Sequence, residues 1–338
     1  MEFPNITMTP KPIFDLFGGT TKSWVLMTAI EFKVFNLTVE NKTASEIASS
    51  LKSHEANTVL FLNALCAIQL LKKENGAYRN TELSDIFLVQ GNDCYLGELL
   101  MLSNQWNFQT REQMADAVKN GPGPQAENFD DVGEMFASHV KAMGNYSRAG
   151  NSQLIAKEIS KLPEFAGMKR MLDLGGAHGM DCIAVTQKSA SLKGVVFDNP
   201  AVIKITREII AEYGMENTVA VMEGDYAKDH IGMGYDLIYA KATLNFFKDN
   251  LHPLFSKIYE ALNPGGVFVS VHDGLTEEGT KPSGMVVSWL PTSLSSKDLS
   301  FDRDMIPDAM LEAGFKSVKL KPIPVSMCES MDICIGRK

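Results

Sequence analysis

The chain has 338 residues, 45% of them hydrophobic and 22% charged, with a formal net charge of −9 and a pI of about 5.3. That length accommodates two domains with cores of their own, and the balance belongs to a globular chain, which excludes a disordered or fibrous one. The acidic surplus weighs against a nucleic-acid or anionic-membrane surface, so no nucleic acid and no membrane is expected among its partners.

MEFPNITMTPKPIFDLFGG lacks a basic start and its apolar residues are interrupted by prolines, so no signal peptide is expected. No later run approaches the roughly 18 apolar residues of a membrane helix. The cysteines Cys66, Cys94, Cys182, Cys328 and Cys334 are odd in number and form no C-x-x-C pair. Reduced thiols are expected, with neither a disulfide framework nor a metal site, in a cytoplasmic protein. TASEIASSL opens on a capping box, Thr43 to Glu46. In SHEANTVLFLNALCAIQLL, Leu60, Phe61, Ala64, Leu65 and Ile68 recur at helical spacing. Asn75-Gly76 then predicts a hairpin turn. Helix, helix and hairpin in that order make a winged helix. GPGPQ at 121–125 reads as a loop before a helical region over 132–161.

From 170 the texture changes. Apolar runs RMLDL, GVVFD, VAVME, DLIYA and GVFVSV alternate with helical segments, the pattern of a parallel α/β sheet. FDRDMIPDAMLEAGF predicts a helix capped by Ser300 and stopped by Gly314, and KSVKLK and MDICIG supply the last two strands. The domain boundary is therefore set near 165, with a mainly helical domain over 1–165 and an α/β domain over 166–338.

The first strand runs into GGAHG, where Gly175, Gly176 and Gly179 permit positive φ and close approach of a ligand. A loop at the carboxyl end of the first parallel strand is where such folds bind nucleotides. Asp173 lies in that strand, Asp198 ends the second and suits ribose hydroxyls, and Asp225 follows the third in EGDY and suits an adenine amino group. A glycine loop alone is compatible with a tight strand–helix turn. Acids at three successive strand ends favour an adenosine ligand, without separating NAD from S-adenosylmethionine.

MLDLGGAHG, the acid of FDNPAV, EGDY and the NPGG before GVFVSV resemble class I S-adenosylmethionine-dependent methyltransferases. Over nearly its whole length the chain is similar to the small-molecule O-methyltransferase family of caffeate and acetylserotonin enzymes. TAIEFKVFNL and the winged helix resemble that family's N-terminal dimerisation region, and FASHVKAMGNYSRAG its interdomain helix. The resemblance implies a homodimer whose N-terminal domain serves dimerisation and covers the substrate. It also implies a Rossmann-like, seven-stranded domain that binds S-adenosylmethionine. Gly175 and the glycine loop would border the methionine part, Asp198 would hold the ribose, Asp225 and Tyr226 the adenine, and Lys241 would approach the cofactor after the fourth strand.

In that family the residue four positions after this lysine is a histidine that serves as general base. Here the segment reads KATLNFF, with Asn245 in the slot, and an amide has no pKa near neutrality. The position of one of the family's flanking acids falls on His272, and Asp298 retains the other. Three explanations compete: an acceptor that needs no deprotonation, a relocated base at His272 for an oxygen acceptor, or a pseudo-enzyme or carbon or nitrogen methylation. The first is favoured. A thioether sulfur is already nucleophilic, and alignment alone contributes several kcal/mol. Such a protein would resemble the S-methyltransferases of dimethylsulfoniopropionate synthesis, which act on 4-methylthio-2-hydroxybutyrate. Tyr146, Arg148 and His139 are candidates for an acceptor carboxylate, and Trp106 and Met143 for an apolar wall. Lys241 and Asn245, four apart, are expected on one helical face. A winged-helix DNA-binding regulator is the rival from another class, weakened by a nearly even balance over 43–80 of Lys52, Lys72, Lys73 and Arg79 against Glu46, Glu55 and Glu74.

Overall fold

The computed structural model describes residue 3 and residues 5–122, 133–295 and 297–338. The expected loop at 121–125 and the start of the expected helix at 132 lie partly outside the described residues. The chain forms two compact units, Met1–Asn104 and Gln105–Lys338.

The first unit begins with a helix, Lys11–Glu31. The Thr43 hydroxyl accepts from the Glu46 amide and the Glu46 carboxylate accepts from the Thr43 amide, so the expected capping box starts the helix Ala44–Leu51. A second helix, Glu55–Ala67, follows. Strands β1 (Lys42–Thr43), β2 (Leu71–Glu74) and β3 (Ala77–Asn80) form a small antiparallel sheet in the order β1-β3-β2. Asn75 and Gly76, both at positive φ, make the β2–β3 turn that their sequence requires. Ile47, Leu62, Leu65, Phe35 and Tyr78 close the core beneath it.

The second unit holds a seven-stranded sheet of β4 (Arg170–Leu174), β5 (Lys193–Asp198), β6 (Val219–Glu223), β7 (Tyr235–Lys241), β8 (Leu262–His272), β9 (Lys316–Val325) and β10 (Glu329–Arg337). The order is β6-β5-β4-β7-β8-β10-β9, parallel except for β10, which runs antiparallel to both neighbours. The order reverses between β4 and β5 on one side and β7 on the other, which opens a crevice at the carboxyl ends of these strands. Phe197, Tyr235, Phe255, Phe268 and Phe301 are fully buried around the sheet, each burial contributing about 1.5–3 kcal/mol.

Packing divides the chain at 104/105 rather than near 165, because 133–160 bonds into the second unit. Ser147 meets His178, Ser152 donates to Asp181, and Lys321 pairs with Glu158. The helix Met305–Glu312 ends as expected: Gly314 has φ 98°, and the Phe315 amide returns to Met310 O at 3.0 Å. Its start differs. Asp304 is the N-cap, and Ser300 instead donates its hydroxyl to Asp298 at 2.5 Å, too far back in the chain to reach the helix.

Candidate functional site

The loop after β4 is shaped by collisions that glycine avoids. A Cβ on Gly175 (φ 66°) would strike the Thr243 hydroxyl, and one on Gly176 would come within 2.6 Å of the Asp173 carboxyl carbon. Asp173 is 2% exposed, and among the described residues its Oδ2 has no hydrogen-bond partner. Burial and the neighbouring Asp181 push its carboxyl well above the ordinary range. A ligand cation beside it, such as the ammonium of an amino acid, would favour the ionised form and bring the carboxyl back toward its ordinary range. Asp198 closes the other side of the loop: Oδ2 accepts from the Ala177 amide at 2.8 Å and Oδ1 from the Asn199 amide at 2.8 Å. Asp225 is more open, paired with Lys228 at 2.9 Å and accepting from the Ala227 amide. Tyr226 is buried, its hydroxyl bonded to Thr243, with its ring edge-on to Phe197.

Lys241 ends β7 and meets Asp181 at 2.5 Å. Burial pushes Asp181 up, yet Lys241, His178 and the Ser152 hydroxyl together hold its carboxyl below the ordinary value. Tyr239 donates to the same carboxylate at 3.0 Å. Asp181 was not legible in the sequence, since it lies inside an otherwise apolar helix, Met180–Thr186.

Lys241 and Asn245 do not share a helical face. The strand ends at Lys241, Ala242 turns through φ 50°, and a tight helical turn begins only at Leu244. Asn245 is 0% exposed and donates from Nδ2 to Asp273 Oδ1 at 2.5 Å and to the Leu299 carbonyl at 2.8 Å. Its Oδ1 has no partner among the described residues. Asp273 Oδ2 accepts from the Phe301 amide at 2.7 Å. The acid beside Asn245 is thus one residue beyond His272, past the strand's end, where the chain leaves β8 and the carboxylate can turn back toward β7. Asp298, expected as the other acid, reaches Lys248 and Ser300 and leaves the Leu299 carbonyl to face Asn245.

His272 is 1% exposed, with Nδ1 3.0 Å from the Ser270 hydroxyl, its ring edge-on to Phe301, and Nε2 without a partner among the described residues. Burial pulls its pKa down to about 3, so the ring is neutral at pH 7 and a poor proton acceptor.

A π turn at Ser147–Asn151 breaks the long helix, with Gly150 at φ 116°. It turns the Ser147 hydroxyl to His178 Nε2 at 3.0 Å, while Arg148 pairs with Glu212 at 3.1 Å and lies over the Tyr213 ring. The charge of Arg148 is therefore engaged by a neighbouring helix. Tyr146 is buried beside Ser326 and Met327, Met143 is half-buried, and Trp106 stacks on His139 at 4.9 Å. Among the described residues no group of His, Cys, Asp and Glu is arranged to hold a metal, and no helix is long and apolar enough to cross a membrane.

A model of the O-methyltransferase domain matches residues 132–290, and one of the O-methyltransferase dimerisation domain matches 14–90. An uncharacterised protein of Methanocaldococcus jannaschii, MJ0086, is 30% identical over 271 residues, which cover 78% of this chain and 70% of that one. The N,N-dimethyltransferase OxyT of Streptomyces rimosus is 26% identical over 90% of both chains. The structure of human N-acetylserotonin methyltransferase in complex with SAM superposes with a TM-score of 0.80 at 22% identity, covering 99% of each chain.

Proposed function

This chain belongs to the O-methyltransferase family and is an S-adenosylmethionine-dependent methyltransferase, and from that premise we propose that it methylates a small molecule without a side-chain general base. The observation that carries this reading is the slot at Asn245, where a buried amide has both of its N–H groups committed to Asp273 and Leu299. Neither amide atom takes up a proton near neutral pH. S-adenosylmethionine supplies an electrophilic methyl group when bound. Asp173 would receive its ammonium, Asp198 its ribose and Asp225 its adenine, while the Gly175–Gly176 backbone lets it lie close to β4. Lys241, tied to Asp181, would border the same edge.

The acceptor must then be nucleophilic without losing a proton. A thioether sulfur meets that condition, as does a neutral amine nitrogen, and alignment and exclusion of water are what the residues provide. A second reading is O-methylation with His272 as the proton acceptor; relatives such as the acetylserotonin O-methyltransferases support the oxygen acceptor, not the histidine's role. Its weakness is the buried, hard-to-protonate imidazole.

The match to a dimerisation domain supports a homodimer, and so does the first helix, where Ile13, Phe14, Leu16 and Phe17 are all exposed. The deciding experiment is transfer of a labelled methyl group to a panel of thioethers, amines and phenols across pH 5–9. A base-free reaction lacks any ascending limb that vanishes in His272→Ala. Such a limb would return the enzyme to base-assisted O-methylation.

A further inference from the structure

Asn245 Oδ1 is a hydrogen-bond acceptor, fully buried and unpartnered among the described residues, at the carboxyl edge of the sheet. Its orientation is not arbitrary. The Leu299 carbonyl can only accept, and the Asp273 carboxylate faces the same nitrogen, so the amide N–H groups are fixed on that side and the oxygen is fixed on the other. A buried carbonyl oxygen left alone is unfavourable, and a donor on a bound molecule would satisfy it. His272 Nε2, on the adjacent strand, is a second buried polar atom without a partner.

Resting on the base-free reading above, we propose that the methyl acceptor is a small, weakly basic primary or secondary amine whose N–H donates to Asn245 Oδ1. A thioether has no hydrogen to place there and would leave the oxygen unmatched. A phenol could donate, but its proton must leave, and an amide oxygen cannot take it. A neutral amine needs neither. Its lone pair forms the N–C bond to the methyl group while the C–S bond breaks and that electron pair stays on sulfur, giving S-adenosylhomocysteine and an N-methylated ammonium. The ammonium loses its proton to solvent after leaving. As positive charge grows on nitrogen, the N–H···Oδ1 bond strengthens, so Asn245 favours the transition state over the bound amine. An amine of low basicity is required because a protonated one has no lone pair to offer.

The test uses the full-length enzyme with S-adenosylmethionine, an arylamine, and its thioether and phenol counterparts of the same skeleton. Calorimetry with S-adenosylmethionine checks the cofactor site separately. The expected result is methylation of the arylamine at least tenfold faster, in kcat/KM, than of the thioether, with little transfer to the phenol. In Asn245→Ala that amine-to-thioether ratio falls at least tenfold while cofactor affinity stays, whereas a purely structural defect would slow both acceptors alike. Asp273→Asn, which loosens the orientation of the amide, should lower the ratio in the same direction and keeps the test open if Asn245→Ala does not fold. Preference for the thioether would overturn this inference and leave the base-free reading intact. Preference for the phenol with an ascending pH limb would overturn both.

Discussion

Asn245 and Asp273 are joined by a buried 2.5 Å hydrogen bond between the helical turn that follows β7 and the residue just past β8. The same carboxylate holds the Phe301 amide, so one side chain ties three segments together. Asp273→Ala leaves an amide N–H of Asn245 and the Phe301 N–H without partners. It should cost about 2–6 kcal/mol, at roughly 1–3 kcal/mol for each stranded donor. Urea unfolding at pH 7 measures this, and a loss within 0.5 kcal/mol would mean that the contact is dispensable.

His272 makes stability depend on pH. The folded chain keeps the imidazole neutral down to about pH 3, whereas the unfolded chain protonates it near its ordinary 6.5. Between those values the unfolded state binds more protons, so this contribution is complete above about pH 6.5 and is lost progressively as pH falls toward 3. His178, pulled down to about 4 by burial, acts in the same direction, while the raised Asp173 and Asp273 act oppositely. Comparing the wild type with His272→Gln isolates the one group: the slope between pH 4 and 6 should drop by up to about 1.4 kcal/mol per pH unit. Parallel curves would show that His272 titrates normally when folded.

Asp198→Ala removes the acceptor of the Ala177 amide as well as the proposed partner of the ribose hydroxyls. S-adenosylmethionine affinity should fall by roughly 1–3 kcal/mol, about fivefold to 150-fold. An unchanged isotherm in calorimetry would move the ribose elsewhere.

Lys241→Met strands the Asp181 carboxylate in a buried position and should destabilise the fold by about 3–5 kcal/mol. Lys241→Met combined with Asp181→Asn removes both charges, so its loss should be clearly smaller than the sum of the two single losses. Strict additivity in denaturant titrations would show that the pair is not coupled.

Phe14 and Phe17 are exposed on the first helix at 67% and 76%. If that face meets a second copy, Phe14→Glu with Phe17→Glu should convert a dimer to a monomer in light scattering at micromolar protein. A wild-type monomer under those conditions would remove the proposal.

The fold was legible because its signals are local and periodic. The capping box at Thr43, the turn at Asn75-Gly76 and the alternation of apolar strands with helices after 170 each depend on residues a few positions apart. The placing of Asp173, Asp198 and Asp225 along one edge was legible for a related reason: they lie at or just past strand ends, and parallel strands bring their carboxyl ends together. The substitution at Asn245 was equally plain in the chain itself. What only tertiary structure decided is how these side chains are partnered. Asn245 lies 28 residues from Asp273 and 54 from the Leu299 carbonyl, and no spacing rule links them. Lys241 finds Asp181 rather than a solvated position, Arg148 is held by Glu212, and the chain turns at Ala242 so that Lys241 and Asn245 part. Each outcome is set by which polar groups burial forces together, and a buried donor or acceptor takes whatever partner the fold brings within reach.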